Sequence, residues 1–156
     1  MMLKVKELTV SDVELLQACA SLEAISIHEP WSFVSFVSEA SRKEGLVLAV
    51  IDEQEQQLYG FLTATCIPET ADLTNIAVIP SHRRIGIAGM LINALKKHVG
   101  KSSIFLEVRM SNTSAIAFYQ KHGFSQVGIR KRFYHYPEED ALLMKWEEME
   151  DADIGN

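Results

Sequence analysis

An apolar run from Ala71 to Ile79, closed by Pro80, is followed by Arg83-Arg84-Ile85-Gly86-Ile87-Ala88 and then by a helical stripe. This succession constrains the chain more than any other feature. The run reads as a strand ended by proline. Ile87, Leu91, Ala94, Leu95 and Val99 recur at helical spacing as far as Gly100, where a left-handed cap is easy to form. A further apolar run, Ser103 to Val108, makes residues 71–109 a strand-helix-strand unit, expected to be a right-handed parallel crossover.

The remaining segments fit around that unit. Leu3 and Val5 alternate with Lys4 and Lys6 as in a half-buried strand, and Ser11 with Glu14 forms a capping box that opens a helix. That helix is expected to bury Val13, Leu16, Ala20 and Leu22, and to end before the loop at Pro30. Ser32 can cap a short second helix with Phe33, Phe36 and Val37 on one face. Leu46 to Asp52 and Leu58 to Ile67 read as hairpin strands joined around Glu53-Gln54-Glu55, and a polar turn at Glu69 continues the meander. Asn112, Ala115, Ile116 and Tyr119 fit a helix stopped by Gly123. Two last strands run from about Phe124 to Tyr136 and from Ala141 to Trp146. The order predicts one α/β (α+β) domain over residues 1–146, with a mixed, mostly antiparallel sheet of about seven strands and helices on both faces.

Charge and cysteine usage narrow the functional class. The net charge is −6, but Glu147, Glu148, Glu150, Asp151 and Asp153 account for five negative charges near the C-terminus, leaving about −1 elsewhere. Residues 147–156 therefore read as a solvated acidic tail, and the nearly neutral body offers no footprint for direct nucleic-acid binding. Cys19 and Cys66 lie in apolar runs without zinc-ligand spacing, so they read as buried free thiols and no metal site is expected. No leader or membrane-length apolar run is evident, which points to a cytoplasmic protein without a membrane partner. A monomer or weak dimer is the separate expectation for its assembly.

The start of a helix presents unpaired backbone N–H groups and a partial positive charge, both suited to phosphate. Gly86 and Ala88 keep the approach clear, and Arg83 and Arg84 add charge. The segment has no Gly-Lys-Ser/Thr and lacks the three-glycine dinucleotide fingerprint, which disfavours ATP and NAD. A glycine placed for helix packing, beside two solvated arginines, is the other reading of these six residues.

In its strand-loop-helix setting, the segment resembles the Arg/Gln-x-x-Gly-x-Gly/Ala signature of the GNAT acyltransferases. Asn75-Ile76-Ala77-Val78, Leu106-Glu107-Val108-Arg109, Ser111-Asn112, Ala117-Phe118-Tyr119 and His122-Gly123-Phe124 resemble the RimI-type ribosomal-protein N-terminal acetyltransferases of that family. Pro30-Trp31-Ser32 and Glu139-Asp140-Ala141 with Met144 extend the resemblance over roughly residues 3–146. It implies acetyl-CoA as co-substrate, with its pyrophosphate on Arg83, Arg84, Ile85, Gly86, Ile87 and Ala88. Its pantetheine arm would lie along Ile76, Ala77 and Val78, with the Val78 N–H polarising the thioester carbonyl. Asn112 would touch the coenzyme, although an N-cap asparagine needs no ligand.

By the same resemblance Glu107 is the general base, acting directly or through water, and Tyr119 protonates the leaving thiolate. Glu107 interrupts an apolar strand and would be costly to bury alone, and an ion pair with Arg109 or an outward-facing position is the other reading. Tyr119 has an ordinary reading as a half-buried core residue. No cysteine lies in this stretch, which favours direct amine attack in a ternary complex over an acyl-cysteine.

The acceptor follows from the amine's acidity. An α-amino group has a pKa near ~7.8 and lysine near ~10.4, so freeing lysine costs about 3.5 kcal/mol more, and one carboxylate base suits a protein N-terminus better. Trp31, Ser32, Tyr134 and Tyr136 match segments that flank the acceptor peptide in the family, although hairpin packing would also explain the aromatics. The resemblance implies the N-terminal alanine of a small-subunit ribosomal protein. Arg132-Phe133-Tyr134-His135-Tyr136 departs from the adjacent tyrosines and proline of relatives, which leaves lysine acetylation open. A polyamine or aminoglycoside acceptor, served by Glu138, Glu139 and Asp140, is a second reading, and a non-catalytic acyl-CoA-binding module a third.

Overall fold

The computed structural model describes residues 2–27, 29–54 and 56–148. The expectation for the acidic tail therefore lies outside the described residues from Met149 onward. The strands are β1 (Leu3–Glu7), β2 (Gly45–Asp52), β3 (Leu58–Ile67), β4 (Thr70–Val78), β5 (Ser103–Arg109), β6 (Ser125–His135) and β7 (Glu138–Trp146). The helices among the described residues are α1 (Val13–Ser26), α2 (Phe33–Ser41), α3 (Ile87–Val99) and α4 (Thr113–Lys121), with a 3-10 turn at Pro80–His82. None of these helices is long and apolar enough to cross a membrane. The strands form one mixed sheet in the order β1-β2-β3-β4-β5-β7-β6. The α/β class, the strand count and the strand positions agree with the sequence, except that β7 begins at Glu138 and not at Ala141.

Contacts divide the chain into two compact units. The first comprises Met1–Cys66 and Leu73–Leu95. In it β2 pairs antiparallel with β1 and with β3. β2 is buried along nearly its whole length, as expected of a central strand read as a continuous apolar run. Leu16, Cys19, Phe36, Val47, Ala49, Ile51 and Phe61 are buried in a hydrophobic cluster, with Trp31, Phe33, Val37, Ala77 and Ile79 packed around them. Phe36 meets both Trp31 and Phe61 edge to face, with ring centroids 5.4 and 5.1 Å apart.

The entry to α1 differs from the capping-box expectation. Asp12, not Ser11, occupies the cap position, and it makes no side-chain bond into the helix. Its carboxylate instead takes the Thr9 N–H and the Lys6 ammonium, each at 2.8 Å, while Ser11 bonds to Thr9. The helix therefore begins one residue later, and Val13 is exposed rather than buried. Ser32 caps α2 as expected, accepting the Ser35 N–H at 3.2 Å.

The second unit comprises Ile67–Asp72 and Lys96–Asn156. Within it β4 pairs parallel with β5 over Thr70–Asp72 and Ser103–Phe105, the parallel step expected of the crossover. β5 and β6 each pair antiparallel with β7. Along β5, Ile104, Leu106 and Val108 are buried, and Phe105, Glu107 and Arg109 alternate with them on the opposite face. Asn112 caps α4 by accepting the Ala115 N–H at 3.2 Å, and Gly123 ends the segment with φ of +91°. Cys19 is buried, but Cys66 near the end of β3 is only half-buried, against the expectation of two buried thiols.

Candidate active site

In the first unit, the strand-loop-helix segment has the geometry of an open anion cradle. The Ile79 N–H donates to the Tyr59 carbonyl at 2.9 Å, so by strand alternation Ala77 also turns its backbone groups toward β3. Ile76 and Val78 then turn theirs the other way. The Val78 carbonyl accepts from Arg83 Nε at 3.4 Å, which draws that side chain back along the strand end. Arg84 and Gly86 have φ of +67° and +92°, and Met90 N–H closes the first helical turn on the Gly86 carbonyl at 3.0 Å. The preceding N–H groups of α3, from Ile87 to Gly89, have no partner within the helix. A Cβ built on Gly86 would meet nothing within 4 Å, so its missing side chain is no packing device. Arg83, Arg84 and Ile85 are exposed, Ile87 is buried as the helix anchor, and Ala88 lies half-buried behind it.

Gly60 of β3 explains where that helix begins. A Cβ there would stand 2.9 Å from Ile87 Cγ2 and 3.0 Å from the Ala77 carbonyl oxygen, so only glycine admits the close approach of β3, β4 and α3.

Trp31 and Ser32 belong to the same unit. Trp31 is half-buried against Phe36, and Ser32 is spent on the α2 cap, so packing and capping account for both side chains as they stand. A feature that the sequence reading missed lies beside them. Glu23 is 2% exposed, accepts the Trp31 backbone N–H, and takes the Asn75 side-chain amide at 2.6 Å. Asn75 in turn accepts from Thr63 Oγ1 at 3.0 Å, and Thr63 lies 2.7 Å from Thr74 Oγ1. Helical spacing carried the signal, since Glu23 follows Leu16 and Cys19 on the buried stripe of α1.

The second unit gathers Glu107, Tyr119, Tyr134 and Asn112. Glu107 is half-buried with its side chain 29% exposed, and it is paired at 3.3 Å with Arg130 of β6 rather than with Arg109. The register explains the difference. Arg109, two residues along β5, lies opposite Ala141 and reaches the β6–β7 turn, where its guanidinium meets Glu139 at 3.2 Å. Tyr119 is buried, packed edge to face on Phe118 and Phe124, and is not the half-buried residue of the ordinary reading. Burial, with a smaller contribution from the Tyr134 phenol, raises its pKa well above that of an ordinary tyrosine, so its hydroxyl keeps its proton at any physiological pH. Tyr134 is raised as well, first by burial and then by the charge of Glu107, with Arg109 opposing. These couplings make Glu107, Tyr134 and Tyr119 electrostatic neighbours. Tyr136, by contrast, is 60% exposed.

The three acids of the β6–β7 turn are already engaged. Glu138 pairs with Arg132 at 3.3 Å, Glu139 with Arg109 and the Ser111 N–H, and Asp140 accepts the Arg132 N–H at 2.9 Å. They form a braced turn rather than an open acidic pocket.

Known proteins resemble this chain over most of its length. The model of the acetyltransferase (GNAT) family matches residues 12–124. A [ribosomal protein bS18]-alanine N-acetyltransferase of Haemophilus influenzae is 32% identical over 146 residues, covering 86% of this chain and 97% of that protein. An uncharacterized protein of Mycobacterium leprae is also 32% identical over 146 residues, but the chain spans only 39% of its length. The crystal structure of the ribosomal-protein-S18-alanine N-acetyltransferase from Escherichia coli superposes with a TM-score of 0.80 at 26% identity, covering 96% of this chain and 97% of the other. With the family signature over residues 12–124, the strand order and the whole-length relatives in agreement, the chain belongs to the GNAT family of acetyltransferases.

Proposed function

We propose that the chain transfers the acetyl group of acetyl-CoA to the α-amino group of a protein N-terminus, with the N-terminal alanine of ribosomal protein bS18 as its acceptor. The start of α3 carries the donor half of this reading. Open space at Gly86, exposed Arg83 and Arg84, and unpaired N–H groups make a cradle for the coenzyme pyrophosphate. The activity named for the H. influenzae and E. coli relatives supports the acceptor half.

In this reading Ile76 and Val78 offer backbone groups to the pantetheine arm, and the Val78 N–H donates to the thioester carbonyl as negative charge grows there. Ala77 supports the strand from its β3 side, and Asn112 holds the start of α4 while touching the coenzyme. Glu107 takes a proton from the incoming ammonium, directly or through water. Its ion pair with Arg130 is partly solvated, so it contributes little and yields readily to an acceptor. The freed amine attacks the carbonyl carbon in a ternary complex; as the C–S bond breaks, Tyr119 delivers its proton to the departing sulfur, and the proton that the nitrogen sheds on becoming an amide restores the neutral phenol. Burial disfavours both a phenolate and a thiolate, which keeps that proton in place until the bond breaks. Trp31, Ser32, Tyr134 and Tyr136 flank the acceptor peptide.

Glu107→Gln and Tyr119→Phe are each expected to lower kcat by roughly a hundredfold or more while acetyl-CoA still binds, the usual scale for acid–base groups. Full turnover in both variants overturns these roles. Acetylation of a peptide beginning Ala-Arg, measured against spermidine and an internal lysine peptide, tests the acceptor. Activity on spermidine alone sinks the N-terminal reading.

A further inference from the structure

Arg109 lies at the end of β5, 27% exposed in its side chain, and makes more directed contacts than any other cation among the described residues. One terminal nitrogen donates to the Pro137 carbonyl at 2.9 Å and to Glu139 Oε1 at 3.2 Å, and the other donates to the Tyr136 carbonyl at 3.1 Å. The guanidinium carbon stands 4.3 Å from the centre of the Tyr134 ring. The other oxygen of Glu139 accepts the Ser111 N–H at 2.6 Å, immediately before the Asn112 cap of α4. One side chain thus ties the turn between β6 and β7 to the start of the helix that carries Tyr119.

We propose that Arg109 is a positioning residue for the acceptor, holding the β6–β7 turn so that Tyr134 and Tyr136 present a fixed surface to the peptide. This rests on the reading that the turn flanks the acceptor. The chemistry of the contacts argues for a role beyond stability. Two main-chain carbonyls, a carboxylate and a ring face are met at once by a planar, forked cation. A lysine ammonium is a single point that cannot reach both carbonyls and also lie flat on the ring. The same cation stacks on the Tyr134 ring, so the clamp also sets the orientation of that ring, whose phenol feels the charge of Glu107.

The test measures KM for the Ala-Arg peptide, kcat and acetyl-CoA affinity in Arg109→Lys, Tyr134→Ala, Tyr136→Ala and the Arg109→Lys/Tyr134→Ala double variant. Arg109→Lys is expected to raise peptide KM roughly tenfold, the scale of a lost charged hydrogen bond, with acetyl-CoA affinity within about twofold of the parent. The double variant is expected to be no worse than the poorer single variant, because both changes act on one turn. An unchanged peptide KM in Arg109→Lys overturns the proposal, as does a loss of acetyl-CoA affinity in parallel with KM in a variant whose thermal midpoint matches the parent. Tyrosine variants that raise KM while Arg109→Lys does not refute Arg109 alone and leave the acceptor reading standing. Tyrosine variants without effect sink both. Should Arg109→Lys fail to fold, Glu139→Ala cuts the same clamp from the opposite side. A rise in peptide KM at constant acetyl-CoA affinity then supports the proposal, and an unchanged KM refutes it.

Discussion

Glu23 is a buried carboxylate held by two donors, the Asn75 amide and the Trp31 N–H. Burial pushes its carboxyl above the ordinary 4.5, and those hydrogen bonds pull the other way without cancelling the effect. A raised carboxyl means that the folded chain holds the proton more tightly than the unfolded chain does. Its stabilising contribution is therefore complete below the unfolded value of about 4.5 and is lost as pH rises through the folded value. Glu23→Gln is neutral at every pH. Thermal midpoints of the two proteins are expected to match near pH 4 and to separate in favour of Gln as pH rises. A constant difference from pH 4 to 8 would refute the assignment. Glu107 stands out in the sequence because a carboxylate interrupts an apolar strand, and Tyr119 only through the family resemblance. Their partners do not. Arg130 reaches Glu107, and Arg109 is drawn away to the turn, through the pairing of β5, β7 and β6, which is interrupted by irregularities between Gln126 and Gly128 and between Arg130 and Tyr134. Hydrophobic periodicity in one strand carries no information about such registers.

At the scale of elements, the apolar periods gave strand and helix positions to within a residue or two, because each element buries one face, except that β7 begins at Glu138 and not at Ala141. The cap of α1 also differed. Asp12 stands at the cap position with its carboxylate held by the Lys6 ammonium and the Thr9 N–H, a contact between β1 and the loop that local spacing does not show. The two glycines near the cradle also differ in kind. Gly86 is needed for its positive φ and Gly60 for lack of room. Gly60→Ala, pressed against the Ala77 backbone, is expected to lower stability by about 1–3 kcal/mol, and Gly86→Ala by about 1–2 kcal/mol from its left-handed backbone alone. Urea unfolding measures both. Gly86→Ala is also expected to weaken acetyl-CoA binding, because a methyl group enters the proposed pyrophosphate site, and unchanged affinity in a titration would count against that site.

For the whole molecule, the consecutive order of β2 to β4 was readable from turns and run lengths, whereas the place of β1 beside β2 and the exchange of β7 and β6 at the far end of the sheet were not. A short turn joins two antiparallel strands equally well whichever of them lies inside; the difference is one of composition, since β6 is polar and exposed as an edge strand while β7 is apolar and partly buried. The network of Glu23, Asn75, Thr63 and Thr74 also bears on how the chain reaches its folded state. Its Asn75–Glu23 bond joins residues 52 apart, so it cannot close until α1, β3 and β4 have already been brought together. Contacts of such separation carry a large loop-closure entropy and add little to an early folding nucleus. Asn75→Ala is therefore expected to steepen the loss of the native state with time, raising the unfolding rate while leaving the refolding limb of the chevron nearly unchanged. A variant that refolds more slowly in proportion to its lost stability would place this polar junction in the nucleus instead.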